Sequence, residues 1–328
     1  MKTLLRTAAA LAAGATMLLG AAQAQDRTGW PQDLTIATAS QGGTYFIYGN
    51  GLAAFISESL GVNASGEVTG GPVQNVTLVQ TGDLPMGMVT MGPAYAAWTG
   101  KSELAPGLEH KDIRALFPMY QTPFQIIALK SSGISSVADL EGKRVGVGPA
   151  GGTPGTYWPR IFEALGLDVT TSNAGASDSA SQVKDGLIDA FAFAAGMPIS
   201  AFAQLAAENE VNIFAFTPEE QAKVLEAFPE LAALTIPGGT YAGFPEASES
   251  VALWNFAIAH KDMPDSLAYE ITKLVLENND RMVQIHAAAK ETLMENWSKN
   301  GFLPFHPGAV KYYEEKGQDI PEKLRGGM

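Results

Sequence analysis

The sequence predicts an α/β protein made of two lobes of similar design. Two segments, 34–56 and 144–166, each contain a short β-rich run, a small-residue loop with the sequence Gly-Gly-Thr, a tyrosine and a segment of helical periodicity. Each is followed by a helix, a glycine, a strand and a turn, at 73–93 and at 178–198. The 328 residues are enough to bury two ordinary hydrophobic cores. Two β-loop-α-β units in the same order therefore indicate two α/β lobes, by pattern rather than by sequence identity.

The individual elements follow from local composition and periodicity. Runs rich in β-branched and aromatic residues predict strands at 34–38, 66–69, 86–90, 113–117, 124–130, 144–148, 190–194 and 251–258. Helical spacing of apolar residues predicts helices at 44–60, 73–81, 93–99, 155–165, 178–185, 198–208, 218–227, 265–278 and 280–297.

Two places are predicted to carry the chain between the lobes. They are Pro123 and the segment 236–245, which is rich in glycine and proline. The predicted divisions are a leader at 1–24, a discontinuous lobe 1 at 25–122 and 246–300, lobe 2 at 123–245, and a C-terminal tail at 301–328 docked on the lobes.

Both Gly-Gly-Thr loops are suited to holding a small anion. Glycine lets the backbone approach a ligand closely, and the helix that follows points free N–H groups and its positive dipole end at the ligand. Ligands of open α/β sheets lie beyond the carboxyl ends of the strands, where these loops are. Two lobes that each present such a loop predict a clamp for a small anionic or zwitterionic solute.

The second loop also matches a dinucleotide fingerprint. Gly146, Gly148 and Gly151 form G-x-G-x-x-G, and Asp168 follows at a distance that suits a ribose-binding carboxylate. A dinucleotide enzyme is therefore an alternative hypothesis. It is disfavoured by the signs of export at the N-terminus, because free NAD is scarce outside the cytoplasm.

The N-terminus has the features of a secretory signal peptide. Lys2 and Arg6 are basic, 11–22 is a short apolar stretch, and Ala22-Gln23-Ala24 is a small-residue cleavage site. Cleavage is predicted after Ala24, which would place the mature chain in the periplasm. Removal of the leader would leave 19 basic against 34 acidic residues and change the net charge from −13 to −15.

Composition argues against several classes of function. A strongly acidic chain does not attract nucleic acid through its overall field, so no nucleic-acid partner is predicted. The absence of cysteine removes disulfides and thiolate chemistry, and the four histidines are scattered without metal-ligand spacing, so no metal or cofactor is predicted. No G-x-S-x-G motif or other catalytic pair is visible. An exported enzyme remains a remote alternative.

Six motifs in order resemble a known family of transport proteins. They are GGTYFIYGNGLA, GGPVQN, DLEGKRVGVGPAGG, KDGLIDAFAFAAGMP, TIPGGTYAGF and PFHPGAVKYY. In this order and spacing the chain resembles the TAXI family, the solute-binding subunits of TRAP transporters. The resemblance implies a type II periplasmic-binding fold with two lobes joined by crossover strands, no enzymatic activity, a monomer, and a membrane permease as partner. It implies a small carboxylate as solute, either a glutamate-like amino acid or a C4 or C5 dicarboxylate or oxo-acid. A binding protein of an ABC-type importer or of a periplasmic sensor would share the fold and stays open.

The resemblance also implies which residues contact the solute. The family loop Gly-Ser-Gly-Thr is replaced here by Gly151-Gly152-Thr153-Pro154, which removes a serine hydroxyl that Thr153 or Thr156 could supply. Arg160 and Trp158, beside this loop, are secondary candidates. The ligand-binding residues implied are Gly43, Thr44, Tyr45, Asn75, Thr90, Gly152, Thr153, Thr156, Met197, Pro198 and Tyr241.

Overall fold

The computed structural model describes residues 26–326, so the leader predicted at 1–24 lies outside the described residues. Ten strands are present in this range: β1 Asp33–Ala37, β2 Asn63–Glu67, β3 Met86–Thr90, β4 Ile113–Leu129, β5 Arg144–Gly146, β6 Thr170–Ser172, β7 Ala190–Ala194, β8 Val211–Phe214, β9 Ala232–Ile236 and β10 Ser248–His260. The α-helices of this range are α1 Thr44–Leu60, α2 Pro72–Gln80, α3 Met91–Trp98, α4 Thr153–Leu165, α5 Ala176–Lys184, α6 Ser200–Glu208, α7 Pro218–Ala227, α8 Asp265–Glu277, α9 Asn279–Ile285 and α10 Pro307–Glu315.

The strands form one continuous sheet that serves both lobes, in the order β2-β1-β3-β10-β4-β7-β5-β6. In lobe 1, β1 pairs in parallel with β2 and β3, and β10 lies antiparallel between β3 and β4. In lobe 2, β5 pairs in parallel with β6 and β7, and β7 is antiparallel to β4. The parallel strands connected by helices confirm the predicted α/β class.

Two long strands join the lobes. The first part of β4 pairs with β10 up to Thr122, and its second part pairs with β7 and β8 from Phe124 onward. The strand is 17 residues long, whereas the sequence predicts two shorter strands. Pro123 is tolerated because it lies where the strand changes partners, so its missing N–H leaves no ladder bond unmade. β10 likewise pairs with β9 before it reaches lobe 1.

Each lobe has its own hydrophobic core. Lobe 1 packs α1, α8 and α10 around its sheet, with fully buried aromatic residues such as Tyr48, Phe256 and Tyr313. Lobe 2 has one apolar cluster containing Trp158 and another containing Phe202. Because α10 lies in the predicted tail, the C-terminal segment supplies part of the lobe 1 core.

The helix predicted at 280–297 is interrupted. α9 ends at Ile285, and two short 3₁₀ turns follow at Ala287–Glu291 and Met294–Lys299. His286 has an extended backbone (φ −154°, ψ 134°), and its Nδ1 accepts a hydrogen bond from the N–H of Ala288 at 3.1 Å. This side-chain bond replaces a helical one, which is how a local side chain competes with helix continuation.

Helix α7 of lobe 2 begins with a capping box. The Thr217 hydroxyl accepts from the N–H of Glu220 at 3.2 Å, and the Glu220 carboxylate accepts from the N–H of Thr217 at 2.7 Å. Substitution T217A should lower the free energy of unfolding by about 1 kcal/mol because it leaves a first-turn donor without its partner. T217S keeps the hydroxyl and should stay within a few tenths of a kcal/mol of the wild type in urea unfolding. Equal losses for the two variants would contradict a role for the cap.

Candidate ligand-binding cleft

A cavity lies between the lobes at the carboxyl ends of β1, β3 and β7. About 40 Å³ of it is free for water-sized groups, within a space of about 400 Å³ that includes open solvent. In this closed arrangement the free space therefore holds only a few water-sized groups. It is lined by Ala39, Ser40, Gly43, Thr44, Tyr45, Gly70, Gly71, Pro72, Thr90, Thr122, Pro149, Gly152, Thr153, Pro154, Phe193, Ala194 and Ala195.

Four helices begin at this cavity. Their N-cap residues are Gly43 for α1, Gly71 for α2, Thr90 for α3 and Gly152 for α4, and all four line the cavity. None of the four caps its helix with a side-chain hydrogen bond. Each helix end carries the equivalent of roughly half a positive charge, and its first-turn N–H groups have no partner within the helix. Fewer donors are free at α2 and α4, because Pro72 and Pro154 have no N–H and the N–H of Val73 donates to another loop. The cavity is therefore electropositive although no basic side chain lines it in the described part of the chain.

A buried amide organises the hydroxyl groups of the cavity. Asn255 lies on β10 and is fully buried, and its Nδ2 donates to the carbonyl of Tyr120 and to Thr122 Oγ1, both at 2.6 Å. The amide oxygen must then face the other way, where it accepts from the Tyr45 hydroxyl at 2.6 Å. Thr90 Oγ1 also lies 3.1 Å from this oxygen. One amide thus fixes the orientation of three hydroxyl groups.

The network extends across the cleft into lobe 2. Thr90 Oγ1 lies 3.2 Å from the Tyr45 hydroxyl and 2.7 Å from Thr153 Oγ1, which belongs to the first turn of α4. Burial raises the pKa of Tyr45 well above its usual value, so the phenol stays protonated and remains a hydrogen-bond donor. A ligand in the cavity would therefore meet neutral hydroxyl groups from both lobes.

Hydrogen bonds between the lobes hold them together around the cavity. The N–H of Val73 donates to the carbonyl of Gly151 at 2.9 Å, and so connects the start of α2 to the loop before α4. Three more hydrogen bonds between the lobes run from Ser177 N to Gln41 O, from Ala201 N to Gly42 O and from Thr44 Oγ1 to Gly196 O. Together these bonds describe a closed arrangement of the two lobes.

Glycines make a close backbone approach between the lobes possible. At Gly71, which has φ +108°, an added Cβ would lie 3.1 Å from the Cα of Gly152 and 3.2 Å from the carbonyl oxygen of Gly151. At Gly151, an added Cβ would lie 3.2 Å from the carbonyl oxygen of Gly70. Two Gly-Gly pairs, one from each lobe, therefore meet backbone to backbone at the edge of the cavity.

Six of the residues that the sequence singles out line the cavity together: Gly43, Thr44, Tyr45, Thr90, Gly152 and Thr153. Asn75 lies beneath them and is fully buried. Its Nδ2 donates to the carbonyls of Thr38 and Met88 at 2.8 Å, and its Oδ1 accepts from Thr69 at 2.6 Å. All these partners are protein groups, so the structure places Asn75 as a support that ties the first loops to β3.

Met197 and Pro198 are adjacent to the closure contact and not at the cavity. The carbonyl of Gly196, directly before them, accepts the 2.6 Å bond from Thr44. Met197 packs against the lobe 2 core. Their turn therefore contacts lobe 1, and neither side chain lines the cavity.

Thr156 and Arg160 line a separate groove between α3 and α4. The guanidinium of Arg160 lies 5.0 Å from the ring centre of Phe228 and 5.5 Å from that of Tyr157, which are cation–π distances. The Thr156 hydroxyl is buried without a hydrogen-bond partner in the described structure. In this closed arrangement neither residue reaches the cavity.

Trp158 and Tyr241 are core residues of lobe 2. The indole N–H of Trp158 donates to the carbonyl of Phe193 at 3.2 Å, and Phe193 in turn lines the cavity. The Tyr241 hydroxyl accepts from the N–H of Ile199 at 3.1 Å. Trp158 is therefore one residue away from the ligand space, and Tyr241 supports the start of α6.

The dinucleotide hypothesis does not fit the position of Asp168. In the parallel pair β5–β6, Arg144 lies opposite Thr170, and the carbonyl of Asp168 accepts from the N–H of Gly142 at 2.7 Å. Asp168 therefore lies at the amino ends of these strands, whereas the glycine loop lies at their carboxyl ends. A carboxylate there cannot bind the ribose of a nucleotide held by that loop.

Three residues at or beside the cavity are not predicted from the sequence: Asn255, Thr122 and Phe193. Asn255 interrupts the apolar run VALWNFAIA, and a polar residue in a strand that is otherwise buried was a usable signal. Nothing in the local sequence marks Thr122 or Phe193, because their position depends on how β4 and β7 pair.

Within residues 26–326 no group of three or more His, Cys, Asp or Glu side chains is placed to hold a metal ion. Within the same residues, no helix is both long enough and apolar enough to cross a bilayer.

Solved structures with the same arrangement of elements include several binding proteins. One, described as a periplasmic transporter, matches with 13% identity over 86% of this chain and 94% of its own, at a TM-score of 0.57. MatC from Rhodopseudomonas palustris with bound malate matches with 14% identity over 90% of this chain and 97% of its own, at a TM-score of 0.56. The periplasmic binding protein BugD matches with 14% identity over 87% of this chain and 96% of its own, at a TM-score of 0.55.

At these identities the likeness concerns the fold, which is the two-lobed type II periplasmic-binding fold. The sequence profile of the NMT1-like family matches residues 36–317, which is most of the chain. The protein therefore belongs to the NMT1-like family.

Proposed function

We propose that the protein is an extracytoplasmic solute-binding receptor that captures a small carboxylate by closing its two lobes. The observation that carries the proposal is the convergence of four uncapped helix N-termini on one interlobe cavity. Backbone N–H groups at helix N-termini bind carboxylates well, and the bonds are strong because the acceptor is charged. The family and the shared fold support a role in transport.

The binding cycle follows from the positions of the loops. A carboxylate would first meet the α1 loop at Gly43 and Thr44, or the α4 loop at Gly152 and Thr153, in an open form. Closure then brings the second loop to the ligand, driven by the higher affinity of the closed state. The hinge lies in β4 and β10, because these strands run through both lobes.

The overall acidity of the chain does not prevent anion capture. Surface charges more than about 8 Å away are largely screened at physiological ionic strength, whereas the helix ends act at contact distance. Recognition would therefore depend on short-range donors rather than on long-range attraction.

The partner we propose is the membrane permease of a TRAP transporter of the TAXI type. Its support is the order of the six motifs along the chain. The receptor of an ABC-type importer or of a sensor is the second candidate, because such receptors would share this fold. Uptake assays with the receptor added to cells or vesicles that hold only the TRAP permease would separate the two.

We propose no enzymatic role for this cavity. Its lining includes no His, Asp, Glu, Lys or Arg. Among the described residues that line it, Tyr45 carries a titratable proton, and burial keeps that phenol protonated.

A thermal-shift panel on purified protein stripped of bound ligand tests carboxylate capture. A ligand present at 100 times its Kd should add about 2.7 kcal/mol to the free energy of unfolding, which raises the Tm by several degrees. We expect such a shift with at least one small carboxylate. A shift with NAD and with no carboxylate, or no shift with any compound of the panel, would contradict the proposal.

A further inference from the structure

The ligand cavity offers many hydrogen-bond donors and no anionic partner. Its 17 lining residues, all within the described range, carry hydroxyl groups, glycine backbone or apolar side chains and no carboxylate. An α-amino acid would bring an ammonium group into this space. A buried ammonium group needs an ionic or multiple hydrogen-bonded partner, because its desolvation is otherwise uncompensated.

The electrostatics of the cavity add to this cost. The N-termini of α1, α2, α3 and α4 all face it, and positive charge near a helix N-terminus is unfavourable. The same four ends that stabilise a carboxylate would therefore repel an ammonium group.

Three neutral oxygen acceptors next to the cavity already accept a hydrogen bond. The amide oxygen of Asn255 accepts from Tyr45, the carbonyl of Gly196 accepts from Thr44, and Thr122 Oγ1 accepts from Asn255. The hydrogen of the Thr122 hydroxyl, in contrast, has no acceptor within residues 26–326 and is available to a ligand oxygen. The network thus leaves the Thr122 hydrogen as a donor for a ligand oxygen and offers neutral oxygens, but no carboxylate, as acceptors.

We infer that this cavity selects organic acids without an amino group, such as oxo-, hydroxy- or unsubstituted carboxylic acids, over the matching α-amino acids. The inference rests on the proposed capture of carboxylates and narrows its ligand class. A hydroxyl or oxo group beside the carboxylate would accept from Thr122 or Thr153, whereas an ammonium group at the same carbon would find no carboxylate to pair with.

Isothermal titration of purified, ligand-stripped protein with matched acids tests the inference. Three series differ only in the group on the α-carbon: propionate, lactate, pyruvate and alanine; succinate, malate and aspartate; glutarate, 2-oxoglutarate and glutamate. In the series of the right chain length, an acid without the amino group should bind about 100-fold more tightly than its amino-acid counterpart.

The outcomes separate the inference from the proposed function. An amino acid that binds as tightly as its amine-free counterpart, or more tightly, would overturn the inference and leave carboxylate capture intact. If no member of any series binds, carboxylate capture itself fails, and the inference fails with it. Because each series keeps chain length and carboxylate number constant, ligand size cannot account for a difference within it.

Discussion

Substitution G151V should weaken ligand binding by about 10- to 100-fold, because it forces the lobes apart where Gly151 meets the backbone of Gly70. In the closed form an added Cβ at Gly151 would lie 3.2 Å from the carbonyl oxygen of Gly70, and the γ-methyl groups of valine need still more room. The bond from the N–H of Val73 to the carbonyl of Gly151 would lengthen as well. The variant would then bind ligand either in an open form, without the contacts that closure adds, or in a strained closed form. In both cases the free energy of binding is less favourable.

The effect should be on closure and not on folding. In the open form Gly151 no longer faces Gly70, so the Tm without ligand should change little, while small-angle scattering with saturating ligand should report a larger radius of gyration than for the wild type. G301V is the matched control, because an added Cβ at Gly301 meets no atom within 4 Å. Unchanged affinity in G151V would mean that the Gly-Gly contact is not part of the ligand-bound state.

The parts of this protein that could be predicted from sequence are those that local patterns determine. Loops with Gly-Gly-Thr before helical periodicity located the N-termini of α1 and α4, and hence most of the cavity lining. These predictions succeed because glycine at a helix start and a buried helical face are both local properties.

The parts that could not be predicted depend on strand pairing. Asn75 and Asn255 are both buried asparagines, yet Asn75 supports the loops from below while Asn255 orients hydroxyl groups at the cavity. Only the pairing of β10 with β3 and β4 places Asn255 between Tyr45 and Thr122. The interruption of the predicted 280–297 helix at His286 has a different origin, since a side-chain-to-backbone bond overrides helical periodicity there.

Substitution N255D should be the most damaging single-atom change at the site. At pH 7 we expect a loss of about 3 kcal/mol in the free energy of unfolding and no measurable binding of carboxylates. The amide Nδ2 now donates to Tyr120 O and Thr122 Oγ1, and an ionised carboxylate would instead place an oxygen 2.6 Å from a carbonyl oxygen. It would also put a negative charge beside the space in which we propose that an anion binds.

The pH dependence of N255D supplies an internal test. Burial without a cation raises the pKa of the new carboxyl group in the folded state above its unfolded value near 3.9. The neutral form restores one donor, so the variant should approach wild-type stability near pH 4. Its free energy of unfolding, relative to that of the wild type, should fall by about 1.4 kcal/mol per pH unit above the pKa of the unfolded state. The difference should become constant above the pKa of the folded state. Urea unfolding of both proteins from pH 4 to pH 8 measures this difference directly.

N212D controls for the charge change itself. The Nδ2 of Asn212 donates to the carbonyl of Ile134 at 2.8 Å in lobe 2, and this partly buried residue does not line the cavity. N212D should therefore keep carboxylate affinity while losing part of its stability. If N255D also kept its affinity at pH 7, the hydroxyl groups that Asn255 orients could not be the groups that hold the ligand, and recognition would have to come from the helix N-termini alone.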